Sequence, residues 1–394
     1  MRCWLVVAAL AGCSFEHGMD VGGGGDDVPP DVAPSLRDIP HVPATHEMPG
    51  IGDYMFTNTT IDTTTGTIQP PAPEGVVVAM VMQEPSGDEL LVIRAHAISI
   101  PAATAVTVTG TRPLVLIADT ITIAGLLDGS AHASVPGPGG MGATAVTKTG
   151  RGSDGVHTGA SQDSGGGGGA YATNGATGGA SGTATSCGSE LANGGAGGQS
   201  WGTPTLDVLA GGAAGGIGSA VSCTPPPIGA GGGAIQVSAF TSLAITGAVN
   251  AGGGGGGMGL NCGTNDGSAA SGGGSGGAIY LDAPLIELAG VIAANGGGGG
   301  GGGSSPGTNG SVGGDGLPST MYASGGAAGG SYGANGGRGG IGTAGPTAGG
   351  NHTCDGNAGG GGGSVGYIVM HAKAGGVSGT GVQSPAATLD TTGF

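Results

Sequence analysis

The amino-acid sequence predicts an all-β protein, a parallel β-solenoid or β-helix with long glycine-rich insertions. The first observation is composition: glycine supplies 100 of the 394 residues, and about one residue in three after position 128 is glycine. Since glycine destabilises a helix by roughly 1 kcal/mol relative to alanine, helices and an ordinary α/β enzyme core are disfavoured. Collagen is excluded because the glycines show no strict period of three and proline is scarce. The second observation is a repeat of aliphatic residues around Gly125, Gly247 and Gly290.

The N-terminus carries an export signal. Arg2 precedes an apolar run over residues 5–10, which is too short to span a bilayer. The motif Leu10-Ala11-Gly12-Cys13 resembles the lipobox of bacterial lipoproteins. That resemblance implies a signal peptide over residues 1–12, cleavage before Cys13 and lipidation of its thiol. Because Ser14 rather than aspartate follows, it also implies anchoring in the bacterial outer membrane, facing the periplasm or the exterior. A plain secretory peptide with a chance cysteine is the alternative.

Two segments precede the repeats. Residues 13–40 hold the lipidated cysteine and then an acidic, Gly- and Pro-containing stretch that predicts a flexible tether. Residues 41–100 contain less glycine and predict an N-terminal β cap. Within it, Val76–Met82 and Leu90–Ile100 have strand patterns, and residues 85–88 form the expected hairpin turn. Such a cap would protect the edge of the first coil.

The solenoid is expected over residues 101–375. Aliphatic residues recur four and two positions before, and two after, each of the three central glycines. This period of two predicts short strands that bury one face, and a further aliphatic run before each pair brings the coil to about three strands. Strands this short must share a core by stacking. The inward positions are Ile121, Ile123 and Leu127; Leu243, Ile245 and Val249; Ile286, Leu288 and Ile292; and Val106 and Val108 before Gly110.

Glycine-rich insertions separate the coils over residues 129–232, 251–276 and 295–363. Glycine brings no side chain to bury, so these segments either stay mobile or form extended polyglycine-II-like rods that hydrogen-bond to one another. We expect partial order. The run Val365–Met370 predicts a closing strand, and residues 376–394 a loose C-terminal tail.

The cysteines fit an exported protein. With Cys3 in the signal and Cys13 lipidated, Cys187, Cys223, Cys262 and Cys354 remain as disulfide candidates. Three pairings are possible, and we favour Cys187–Cys223 with Cys262–Cys354. No C-x-x-C spacing occurs, so we expect no metal site.

A fold resemblance follows from these patterns. The coils resemble right-handed parallel β-helices of the pectin-lyase-like class. Insert segments such as the one beginning at Asn335 are similar to the polymorphic glycine-rich sequences of bacterial cell-surface proteins. This resemblance covers residues 90–380 and implies a surface or envelope role.

Catalytic and nucleic-acid-binding signatures are weak. The net charge is −17 and no basic patch exists, so nucleic acid is excluded as a partner. Asp119 and Asp282 occupy what we take as equivalent turns, where capping is the simpler reading. The paired-aspartate motifs of galacturonases, enzymes of the β-helix class that the coils resemble, are absent from the sequence. We expect no cofactor.

Three functions remain open at this stage. The first is a non-enzymatic, lipid-anchored envelope protein of structural or adhesion type, with surface glycans or matrix proteins as candidate partners. The second is a degenerate or unrecognised carbohydrate-active β-helix enzyme. The third is a small-ligand or ice-binding surface on outward threonines, and it is disfavoured because later coils lack threonine there. The threonines are Thr107, Thr109, Thr120 and Thr122.

Overall fold

The structure is a computed structural model that describes residues 38–143, 149–159, 162–184, 190–221, 223–263 and 266–394. Within these ranges the protein is all-β, and the only helix is a 3₁₀ turn over Ala44–His46. The strands are β1 Tyr54–Met55, β2 Thr59–Asp62, β3 Thr67–Gln69, β4 Val77–Met82, β5 Glu89–Arg94, β6 Ala97–Ile100, β7 Ala105–Thr109, β8 Leu114–Ile123, β9 Leu126–Asp128, β10 His157–Thr158, β11 Gln162–Asp163, β12 Ala234–Ile245, β13 Ala248–Asn250, β14 Ala278–Asp282, β15 Leu285–Leu288, β16 Val291–Ala293, β17 Gly356–Asn357, β18 Tyr367–His371, β19 Val377–Ser378, β20 Val382–Ser384 and β21 Thr388–Asp390.

The coils of the predicted solenoid are present. Each consists of three strand segments, and each segment pairs in parallel with the same segment of the next coil. Register follows the repeat, because Ile121 lies level with Leu243, which lies level with Ile286. The aligned aliphatic side chains all face one shared core and are at most 2% exposed. The fold class predicted from the period of two is therefore confirmed. The coils are β5–β6–β7, β8–β9, β12–β13, β14–β15–β16 and β18–β19–β20.

Two of the central glycines are required by close stacking. None of Gly125, Gly247 and Gly290 has a positive φ. A Cβ at Gly247 would overlap the carbonyl oxygen of Gly125, and a Cβ at Gly290 would overlap that of Gly247. Hydrogen bonds run along the same column, from Ala248 N–H to Gly125 and from Val291 N–H to Gly247. Consecutive turns thus touch backbone to backbone, which leaves no room for a side chain.

The N-terminal region differs from the predicted cap. Strands β4 and β5 form the expected antiparallel hairpin. However, β5 and β6 pair in parallel with β8, so residues from 89 onward already form the first coil. The edge of this first coil is covered by other strands: β4 pairs with β5, β1 pairs with β6, and the β2–β3 hairpin pairs with β7.

The C-terminal residues 376–394, expected to be a loose tail, instead continue the solenoid. Strand β19 pairs with β15, β20 pairs with β16, and β21 begins a further coil on β18. These strands are too short to stand out in the sequence, and they are held by the ladders of the coil beneath.

The glycine-rich insertions are ordered rods. All three leave the solenoid after the third strand of a coil and return before the first strand of the next. Backbone N–H groups of the rods donate to carbonyl oxygens of other rods, far away in sequence. Rods running outward cover residues 150–155, 175–180, 211–219, 252–259, 295–303, 323–329 and 346–350. Returning rods cover residues 164–170, 194–198, 228–233, 268–277, 310–316, 334–340 and 358–364.

The hydrogen bonds of an inner rod repeat every third residue. Gly165 and Gly168 donate to one neighbouring rod, and Gly166 and Gly169 donate to a second. Gly167 donates to a third. This period matches the three residues per turn of a polyproline-II-type helix, which has no internal hydrogen bonds. The N–H groups of this rod, residues 164–170, are accepted by carbonyl oxygens of rods 175–180, 268–277 and 150–155. Its own carbonyl oxygens accept N–H groups from three other rods, 194–198, 358–364 and 211–219.

Inner rods are surrounded by other rods, and this explains their runs of glycine. A Cβ at Gly166, Gly167 or Gly168 would overlap a carbonyl oxygen of a different neighbour in each case. In outer rods every third residue faces solvent and carries a side chain, as at Asn335 and Arg338. Asn335 Oδ1 also accepts the N–H of Ala328 at 2.8 Å, so the side chain satisfies a rod N–H at the bundle surface.

Candidate functional site

The loops that join the rods at their far ends meet in one place, which we name the tip. With about 3.1 Å per residue, a rod such as Gly296–Gly303 carries the chain roughly 25 Å from the solenoid. The tip comprises residues 156–159, 162–163, 181–184, 190–192, 220–221, 223–227, 260–263, 266–267, 304–309, 330–333 and 351–357. The side chains that it carries include His157, Asp163, Asp266, His352 and Asp355. Loops are where binding groups are commonly carried on a rigid scaffold.

A disulfide braces the tip. Cys223 is bonded to Cys262, so the pairing favoured from the sequence is wrong for these two residues. The correct partner could not be read from spacing, because the order in which the rods pack decides which loops are adjacent. Cys354 is also disulfide-bonded, and Cys187 lies outside the described residues. Disulfides persist in oxidising compartments, so this region belongs to an extracytoplasmic environment.

Hydrogen bonds connect further loops of the tip. Asn261 N–H donates to Asn309 Oδ1, and Asn261 Nδ2 donates to the carbonyl of Gly307, both at 2.8 Å. Ser305 Oγ donates to the carbonyl of Gly263. A loop of the second insertion is therefore fastened to a loop of the third.

A small sheet closes the centre of the tip. Strand β11 pairs antiparallel with β10 and parallel with β17, which brings the first insertion against the third. Gln162 Nε2 donates to Asp355 Oδ1 across this junction. The side chain of Asn357, on β17, is 4% exposed and donates to the carbonyl of Gly303 at 3.0 Å.

A cavity of about 200 Å³ opens beside this sheet. Taking about 30 Å³ per water molecule, it has room for roughly seven waters or one small organic ring. Its lining combines carboxylate, amide, hydroxyl and aromatic groups that come from four separate loops of the second and third insertions. The lining residues are Asp266, Gly267, Ser305, Pro306, Tyr332, Asp355, Gly356 and Asn357.

The tyrosine of the lining stacks on a histidine. Tyr332 is 44% exposed, and its ring stacks on the ring of His352 with centroids 6.2 Å apart. The two ring nitrogens of His352 lie 3.1 Å and 3.0 Å from the carbonyl oxygens of Cys354 and Ser331. The imidazole thus contacts both its own loop and the loop that carries the tyrosine.

Two carboxyl groups line the cavity, and a third is buried beside it. Asp163 is fully buried next to it, and burial raises the pKa of this carboxyl above its usual range, with the charge of Asp266 adding to the rise. Asp163 Oδ1 accepts from Ser219 Oγ at 2.5 Å and lies 3.1 Å from His157 Nδ1. With Asp266 and Asp355 in the lining, the cavity repels anions.

The two aspartates considered from the sequence for catalysis are not equivalent. Asp282 lies level with Ser238 and through it with Ile117, two positions from Asp119. Asp119 is part-exposed near His96, whereas Asp282 is fully buried and its Oδ1 lies 2.8 Å from His371 Nδ1. The structure therefore does not bring these carboxylates together at one site.

The outward threonines do not form a continuous row either. Thr120 and Thr122 are exposed, and Thr122 lies level with Ala244 and through it with Glu287. Thr107 is half-buried and is level with Asp128. Thr109, at the end of the same strand, is half-buried as well.

A His–Asp cluster fastens the bundle to the solenoid. His132 Nε2 lies 3.5 Å from Asp128 Oδ2, and its Nδ1 lies 3.7 Å from Asp315 Oδ2. Hydrogen bonding to Asp128 and then Asp315 raises the pKa of His132 to about 10. Asp315 Oδ1 also accepts the N–H groups of Ala133 and Gly255 at 3.0 Å and 2.7 Å. One coil and all three insertions therefore meet at this cluster.

Comparison with known proteins gives no relative. No protein-family model, curated protein or solved structure matches the chain. Among the described residues, no group of three or more His, Cys, Asp or Glu side chains is arranged to hold a metal ion. That same part of the chain contains no helix of the length and apolar character needed to cross a bilayer. Cys13, predicted to be lipidated, lies outside the described residues.

Proposed function

We propose that this chain is a lipid-anchored cell-envelope protein of structural or adhesion type, without catalytic activity, that presents a ligand-binding tip. The observation that supports it most is the convergence of loops from all three insertions at the end of the rods, where a disulfide and side-chain hydrogen bonds fasten them. Rigid rods that end in fastened, chemically varied loops suit the display of a surface to another molecule.

The anchor forms part of the proposal. Cys13, lipidated after removal of residues 1–12, would tie the N-terminus to the bacterial outer membrane, since several acyl chains together hold a protein stably. Replacing Cys13 with serine should move the protein from the membrane fraction to the soluble fraction. Unchanged membrane association of the Cys13→Ser protein would contradict the anchor.

Adhesion is tested separately on whole cells. Cells that display the full chain should adhere to surfaces coated with glycans or matrix proteins. A variant with residues 305–309 of the tip replaced by glycine should lose this adhesion. The matched control replaces residues 341–345, a loop at the solenoid end of the rods, and should adhere like the unaltered chain. Equal adhesion of all three proteins, or none above uncoated surfaces, would contradict the proposal.

The alternative is a carbohydrate-active enzyme, and we place it second. The coil likeness to right-handed β-helices of the pectin-lyase-like class is what suggests it. Asp282 lies fully buried against His371, whose Nε2 is 2.6 Å from the carbonyl oxygen of Thr392, so a substrate would find neither group accessible. Glycan turnover that is lost on changing Asp119 or Asp282 would favour the enzyme.

A further inference from the structure

We propose that the tip cavity binds one saccharide unit that is neutral or carries an amino group. This inference rests on the proposed adhesion function and names the ligand class of that same site. It starts from the lining, which holds the ring of Tyr332, the carboxylates of Asp266 and Asp355, the amide of Asn357 and the hydroxyl of Ser305.

The polar groups of the cavity suit hydroxyl ligands. A sugar hydroxyl both donates and accepts hydrogen bonds, and ionised carboxylates accept only. Asp266 and Asp355 therefore offer acceptors to the hydroxyl protons, and Ser305 Oγ, whose own proton is donated to the Gly263 carbonyl, offers a further acceptor. Asp355 is already oriented by Gln162, and Asn357 is fixed by Gly303, so these groups are held before a ligand arrives. Preorganised groups lose less freedom on binding.

The tyrosine ring of the lining suits the apolar face of a pyranose sugar. One face of such a ring presents C–H groups, which pack on the electron-rich face of an aromatic ring. Tyr332 supplies an aromatic ring to the lining, and this ring stacks on the ring of His352. A volume of about 200 Å³ accommodates a single ring but not a longer buried chain, so a terminal or side-branch sugar fits.

Charge decides between classes of sugar. Among the residues that the structure describes, the lining contains two aspartates and no lysine or arginine. A uronic or sialic acid would bring a further negative charge into this field, whereas an ammonium group on an amino sugar would be attracted. The expected order of affinity is glucosamine, then glucose and N-acetylglucosamine, with glucuronate last.

The experiment measures binding of these four monosaccharides to the full-length chain in detergent micelles by saturation-transfer NMR and calorimetry. Tyr332→Ala should weaken binding of glucose at least about tenfold. The matched control is Tyr322→Ala, because Tyr322 is similarly exposed but lies at the solenoid end of the rods. This control should bind like the unaltered chain. The double substitution Asp266→Asn and Asp355→Asn should reduce the preference for glucosamine over glucuronate.

Several results would overturn the saccharide assignment. These are no binding of any of the four sugars, equal effects of Tyr332→Ala and Tyr322→Ala, or calcium binding that is lost in the double aspartate variant while no sugar binds. Failure of the adhesion proposal is a separate outcome. If cells adhere equally well with and without Tyr332 and no sugar binds, adhesion stands and the sugar pocket falls. If sugars bind but cells do not adhere, the pocket stands and adhesion falls.

Discussion

A single methyl group placed inside the rod bundle should destabilise the protein strongly. In Gly168→Ala, the new Cβ would overlap the carbonyl oxygen of Gly362 in an adjacent rod. That carbonyl accepts the N–H of Ala176 at 3.0 Å, and Gly168 itself donates to Ala176 at 2.8 Å and accepts from Gly198 at 2.9 Å. Separating the rods far enough to admit the methyl group strains all three hydrogen bonds.

The magnitude follows from these contacts. Overpacking a close-packed interior costs about 1–3 kcal/mol. Each buried backbone hydrogen bond that is lost adds about 1 kcal/mol or more. Alanine also restricts the unfolded chain, which offsets about 0.4–1 kcal/mol. We therefore expect a net loss of about 3–5 kcal/mol in the free energy of unfolding.

The assay is denaturant unfolding followed by far-UV circular dichroism, with Gly345→Ala as the control. Gly345 is exposed, has no positive φ and would place its Cβ in open space. This control should be as stable as the unaltered protein or up to about 1 kcal/mol more stable. If Gly168→Ala changes the free energy of unfolding by less than about 0.5 kcal/mol, residues 164–170 are not enclosed as described.

Three further predictions concern the cluster, the crosslink and the coil core. Because the pKa of His132 is raised from 6.5 to about 10, its interaction with Asp128 and Asp315 should stabilise the fold fully below pH 6.5, and this stabilisation should be lost as the pH rises from 6.5 to 10. The unfolding temperature of His132→Gln should therefore fall less over that pH range than that of the unaltered protein. Parallel pH profiles of the two proteins would refute the role. Replacing Cys223 and Cys262, which are 39 residues apart, with serine should lower the free energy of unfolding by about 2–4 kcal/mol, measured from the denaturant midpoint. An unchanged midpoint would show that the rods alone hold the tip. Ile245→Ala in the solenoid core should lower the free energy of unfolding by about 2–5 kcal/mol. Leu285 is 56% exposed on the same sheet, so Leu285→Ala should lower it by less than about 0.5 kcal/mol. Similar losses in the two variants would contradict the assigned faces.

The solenoid could be predicted because its signal is local. Ile121, Leu243 and Ile286 occupy the same place relative to a glycine, and side-chain alternation alone assigns them to the core. The same count separates Asp119 from Asp282, because they lie six and eight positions before Gly125 and Gly290, so the expected equivalence of their turns was wrong. The extra residue between Ala239 and Ser242 shifts the register, and nothing in the local pattern of β12 indicates it.

The rods and the tip were harder to predict. Inner rods are continuous glycine, which conceals any period, and only outer rods show a side chain at every third residue, as at Asn335 and Arg338. That local spacing was the available signal for polyglycine-II geometry. The tip depends on the order in which the rods pack, because Gln162 and Asp355 are 193 residues apart. Such pairings cannot be deduced from spacing along the chain.

The three-residue period also sets the unit by which this bundle can change in length. Inserting three residues into a rod adds one turn, about 9 Å, and leaves every later residue facing its former neighbour. Inserting one or two residues would rotate the rest of the rod and turn exposed positions such as Arg338 inward against backbone. Lineages that lengthen or shorten the bundle should therefore do so in steps of three, matched between adjoining rods, while the loops they carry are free to diverge.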